Sequence, residues 1–120
     1  MKEKTALALC QVLDEKQGRD IVLLDVSGKT PMMDYFIIVT AMNPRHGKSL
    51  ADALEEAALK ESLRIHSKEG MQKGEWILLD FKDIVVHIFT GDNRRHYDLE
   101  KLWYDAKKIE MDIDTQGDYS

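Results

Sequence analysis

The sequence predicts a single α/β domain in which helices flank a mixed β-sheet. Three observations carry this. Apolar residues recur at helical spacing in three separate segments, and short, almost continuous aliphatic runs of strand length lie between them. At 120 residues the chain is most simply one domain with one hydrophobic core.

Residues 4–16 read as a first helix, with Ala6, Leu9, Cys10 and Leu13 on one stripe and Gly18 as its stop. Residues 20–26 (DIVLLDV) and 34–40 (DYFIIVT) read as strands. Both are so uniformly aliphatic, aromatic and β-branched that burial on both faces is expected. Ser27 to Pro31 (SGKTP) is the turn between them. Asn43-Pro44 then offers an N-cap and a proline at the first helical position. The helix it opens is expected to reach about residue 61, with Leu50, Ala51, Leu54, Ala57 and Ala58 on its inner face.

A short strand is expected over 63–67, followed by a glycine-containing loop over 69–75. Strands over 76–80 and 84–89 close a tight antiparallel hairpin around Phe81-Lys82. A last helix over 97–107 places Leu99, Leu102, Trp103 and Ala106 at i, i+3, i+4 and i+7. The folded domain is assigned to 1–107, and residues 108–120 to an acidic, disordered tail. The order α-β-β-α-β-β-β-α makes the sheet mixed.

Charge narrows the function. Seventeen Lys and Arg against 22 Asp and Glu leave a net charge of −5. Nucleic-acid binding draws on clustered basic groups that neutralise phosphates. The densest basic cluster, Arg94-Arg95-His96, is too short for that. A basic protein partner suits the chain better than RNA or an anionic membrane. No apolar run approaches the roughly 20 residues that span a bilayer, and no signal-type cleavage region follows the start. A lone cysteine, Cys10, excludes an intramolecular disulfide, so a cytoplasmic, reducing setting is expected.

Candidate chemistry is sparse. His46, His66, His87 and His96 lack the close ligand spacing of zinc sites, and neither metal nor cofactor is expected. Ser27-Gly28-Lys29-Thr30 resembles the end of a phosphate loop, but Leu23 stands where its first glycine belongs and Pro31 follows. Cys10 sits on an apolar stripe, where burial makes a thiol inert. Asp80 and Asp83 flank a turn, a position aspartate favours for local backbone bonding. The chain reads as a non-enzyme. The alternatives are a nucleotidyltransferase-like enzyme using Asp34 or Asp80 with magnesium, and a generic homodimeric interaction module.

The segment GEWILLDFKDIVVHIF, residues 74–89, holds the most informative pattern. Strand alternation puts Trp76, Leu78 and Asp80 on one face of its first strand and Ile77 and Leu79 on the other. In the second strand Val85, His87 and Phe89 oppose Ile84, Val86 and Ile88. One face is purely aliphatic. The other mixes tryptophan, histidine and aspartate with apolar groups, as a protein interface does; a second covering helix would instead make Trp76 part of the core.

Taken together, several stretches resemble the ribosomal silencing factors, also called the Iojap or YbeB-like family. They are Gly18-Arg19-Asp20-Ile21, Leu24-Asp25-Val26, Asp34 to Thr40, Arg45-His46, Glu69-Gly70, and WILLDFxDIVVHIF from Trp76 to Phe89 followed by YxLExLW from Tyr97 to Trp103. The resemblance runs from the first helix to Trp103. It implies a nucleotidyltransferase-like fold without the catalytic site. It also implies a translational repressor that binds the large ribosomal subunit through its ribosomal protein fourteen. Joining of the small subunit is thereby blocked when nutrients are scarce, and the free protein is a homodimer. The residues carried over as partner-binding are Trp76, Leu78, Asp80, His87, Tyr97, Glu100 and Trp103. Trp76 and Leu78 would form the apolar anchor, and Asp80 and Glu100 would pair with basic partner groups. Arg45-His46 would shape that surface or hold a loop. Two departures stand out: Ala41-Met42-Asn43-Pro44 replaces the family's glycine and serine, and Lys82 replaces a frequent hairpin glycine.

Overall fold

The computed structural model describes residues 2–91 and 106–111. Helix α1 (Lys2–Glu15) buries Ala6, Leu9, Cys10 and Leu13 completely, the stripe its spacing predicts. It ends differently from expectation. The left-handed residue that closes it is Gln17, with φ at 68°, and the Gly18 N–H returns to the Leu13 carbonyl at 2.7 Å. Gly18 is needed for closeness instead. A Cβ there would stand 2.7 Å from Val39 Cγ2 and 3.0 Å from the Leu13 oxygen.

Strand β1 (Arg19–Asp25) runs antiparallel to β2 (Tyr35–Ala41), with a bulge between Arg19 and Val22 where Asp20 takes φ 51°. The SGKT segment is a turn, as expected. Asp25 Oδ1 accepts from the Ser27 N–H at 3.0 Å and from its Oγ at 2.6 Å, and the Lys29 N–H donates to the Val26 carbonyl. Helix α2 (Pro44–Lys60) begins on Asn43, whose Oδ1 accepts from the His46 N–H at 2.8 Å. Asn43 thus caps the helix, the role its position before Pro44 predicts.

The strand expected over 63–67 lies further on, as β3 (Ser67–Glu69). Ser62 turns left-handed at φ 61° and the Leu63 N–H closes α2 on the Ala58 carbonyl, so the next residues serve the helix end. Strands β4 (Trp76–Asp80) and β5 (Ile84–Thr90) form the expected hairpin. Its loop has three residues, with Lys82 at φ 75° and its N–H on Asp80 Oδ1 at 2.7 Å.

The end of the predicted last helix is corrected. Lys107 belongs to β6 (Lys107–Lys108), which pairs with Asp25 and Leu24 of β1. The Ile109 N–H donates to the Leu23 carbonyl, and its side chain is buried in the core. Two lysines can close the edge of β1 while their ammonium groups stay in water. The boundary expected between 107 and 108 therefore falls inside a strand. Ala106 forms a bend that packs against the cluster of Val22, Leu24 and Phe36 rather than a helical turn; residues 97–105 of the predicted helix and residues 112–120 lie outside the described residues.

Among the described residues the sheet order is β3-β4-β5-β2-β1-β6, antiparallel except for the parallel β2–β5 pair. Strand β2 is central, which is why its run is buried almost throughout. Helices α1 and α2 lie side by side on one face, α1 over β1 and β2, α2 over β2, β4 and β5. Leu23, Ile37, Val39, Ile77, Leu79, Ile84, Val86 and Ile88 meet them there. Each such side chain contributes roughly 1.5–3 kcal/mol by leaving water. The inward residues of α2 include Gly47, Ala51 and Ala58, small enough to let the helix approach the sheet.

Candidate protein-docking surface

Alternation sends the other half of each strand to the opposite face. Register sets the neighbours there: Trp76 stands opposite Phe89, Leu78 opposite His87, and Asp80 opposite Val85. The parallel β2–β5 pair adds Phe36 beside Val85 and Ile38 beside His87. Val22, Leu24, Val26, Phe36, Ile38 and Phe89 form a second buried cluster on this face.

Toward β4 the cluster becomes accessible. Met32, Met42, Leu59 and Trp76 are the exposed large apolar side chains among the described residues, and only Trp76, at 36%, belongs to the sheet. Its indole stacks on Phe89 with ring centroids 5.0 Å apart. His87 lies between them and Phe36, 4.8 Å from the latter ring. Trp76 Nε1–H donates to His87 Nδ1 at 2.9 Å. An imidazole nitrogen that accepts carries no proton, so the His87 hydrogen is on Nε2. Burial pushes the His87 pKa down from 6.5 to about 4, which keeps the ring neutral near pH 7.

Four of the predicted partner-binding residues, Trp76, Leu78, Asp80 and His87, thus share one face of two adjacent strands. Asp80 also has a local task, accepting the Lys82 N–H in the turn. Tyr97, Glu100 and Trp103 lie outside the described residues. Phe36 and Phe89 are members of the cluster that sequence reasoning did not single out. Phe89 had a signal, since alternation places it with His87; Phe36 joins only through the long-range β2–β5 pairing.

His46 sits apart from this face and holds a loop. Its Nδ1 accepts from the Met42 N–H at 3.0 Å, and Nε2–H therefore donates to the Lys16 carbonyl at 2.9 Å, tying the end of α1 to the start of α2. Cys10 is buried and its thiol is pushed up to about 12 by loss of solvation. Asp34 precedes β2, where its N–H donates to the Asp83 carbonyl. Among the described residues no three His, Cys, Asp or Glu side chains converge as a metal site would require, and no helix is long and apolar enough to cross a membrane.

Fold and face together define a single-domain α/β protein in which, among the described residues, two helices cover one sheet face and an aromatic cluster lies on the other. Residues 1–119 match the family described as ribosomal silencing factor during starvation, and the chain belongs to that family. It is 35% identical over 110 residues to the ribosomal silencing factor RsfS of Bacillus subtilis, covering 92% of this chain and 91% of that one. A crystal structure of a Chromobacterium violaceum protein superposes with a TM-score of 0.82 at 29% identity, covering 98% of both chains. A more distant relative, 29% identical over 100 residues, is the mouse protein named mitochondrial assembly of ribosomal large subunit protein 1; the match covers 79% of this chain and 43% of that one.

Proposed function

We propose that the protein is a cytoplasmic, non-enzymatic translational repressor. It docks on ribosomal protein fourteen of the large subunit and sterically prevents the small subunit from joining when nutrients are limiting. Free in solution it is a homodimer. The observation that carries this reading is the family match across residues 1–119. The mouse relative, whose name places it in assembly of the large ribosomal subunit, supports the choice of subunit.

The physical properties of the chain support the reading as well. A net charge of −5 suits a basic ribosomal protein better than exposed RNA. Trp76 and Leu78 offer an apolar anchor with Asp80 beside it on the same strand face, and aromatic anchors ringed by charge are the usual make-up of a protein interface. The family and its Bacillus subtilis member are named as silencing factors, which supports a role without catalysis.

Sedimentation tests it directly. The protein is expected to comigrate with purified large subunits, not with small subunits, and to reduce formation of joined ribosomes when both are mixed. Absence from the large-subunit fractions would contradict the proposal.

A further inference from the structure

We propose that His87 is a positioning residue for docking: by accepting the Trp76 indole N–H it holds that ring in the orientation in which a basic protein partner meets it. The inference deepens the docking reading above and rests on it. Trp76 opens β4, with its indole over Phe89 and its Nε1 2.9 Å from His87 Nδ1. Phe89 supports the face of the indole, and the hydrogen bond to His87 adds a directional restraint on its rotation, so less side-chain freedom is left to be lost when a partner binds.

The arrangement also specifies the contact. Since the indole N–H already donates within the protein, what Trp76 adds to a partner is ring surface. Partner groups that match ring surface on an acidic protein are the aliphatic stems and cationic heads of lysine and arginine. His87 can serve this way only while Nδ1 is unprotonated, and its buried setting between Phe36 and Trp76 keeps it so.

The test uses the full chain and two readouts. His87→Phe keeps a ring but removes the acceptor, while His87→Asn keeps an acceptor near the Nδ1 position. In NMR spectra of the free protein, the Trp76 indole N–H (assigned by its loss in Trp76→Phe) should be protected from exchange in wild type and in His87→Asn, and unprotected in His87→Phe. Affinity for large subunits should fall about three- to tenfold in His87→Phe, the worth of one neutral hydrogen bond, and return with His87→Asn. If His87→Phe does not fold by circular dichroism, His87→Leu replaces it. A folded, acceptor-less variant that binds like wild type would overturn the positioning role; if Trp76→Ala still weakens binding in that case, the docking reading stands. Equal loss in the acceptor-keeping variant would also overturn it. A wild-type protein with a protected indole but no affinity for large subunits would defeat the docking reading, and this inference with it.

Discussion

The two faces of the β4–β5 hairpin come from the same residues in strict alternation, and they differ in what they can tolerate. Ile77, Leu79, Ile84, Val86 and Ile88 face α1 and α2 and are essentially inaccessible. Every one is aliphatic, because a polar atom there would have no partner. Trp76, Leu78, Asp80 and His87 face the other way and are at least partly accessible. Their polar atoms have partners where burial demands it: the indole N–H on His87, and the Asp80 carboxylate on the turn. One face is built for stability, and the other keeps apolar area within reach of solvent.

If that division is right, substitutions on the two faces should fail in different assays. The largest stability effect is expected on the helix side. Leu79→Ala leaves a cavity beneath α2 and should cost about 2–5 kcal/mol in denaturant unfolding, while the fraction that stays folded still binds large subunits. An effect confined to binding would mean that the faces are assigned the wrong way round.

Next comes pH, which probes the aromatic face through His87. Its folded pKa of about 4 lies below the ordinary 6.5, so the unfolded chain binds the extra proton first. The stability contributed by a neutral His87 is fully present above pH 6.5 and is lost as the pH falls toward 4, by at most about 3 kcal/mol. Unfolding free energies across that window should show the loss in wild type and a smaller one in His87→Phe. The smallest effect belongs to the turn that joins the strands. Lys82 holds φ 75°, a conformation glycine adopts without steric penalty, so Lys82→Gly should stabilise by up to about 1 kcal/mol. Large-subunit binding should not change, since the turn bond to Asp80 uses only the backbone N–H.

Much of this was legible in the sequence because burial has a period. The α1 stripe, the buried β2 run, the inner face of α2 and the opposed faces of β4 and β5 all follow from spacing alone. What escaped has no periodic signature. Strand β6 is two lysines long and exists through its pairing with β1. Strand β3 starts late because the end of α2 uses Ser62 and Leu63 for closure. Gly18 reads as a helix stop, yet the left-handed position falls on Gln17 and the glycine makes room for Val39. At the candidate surface, alternation gathered Trp76, Leu78 and Asp80, but the hydrogen bond joining Trp76 to His87 depends on cross-strand register, which only the folded hairpin shows. Asp80 likewise read as a charged contact before its second task in the turn was visible.

If the aromatic face docks the partner while the helix face holds the fold, Trp76→Ala combined with Asp80→Asn separates the two, because asparagine keeps an acceptor for the Lys82 N–H and removes only the charge. The double variant should show native circular dichroism and an unfolding midpoint close to wild type, yet be absent from the large-subunit peak on sedimentation. Native-like comigration of that variant would contradict the claim, and its unfolding would return Trp76 to the core.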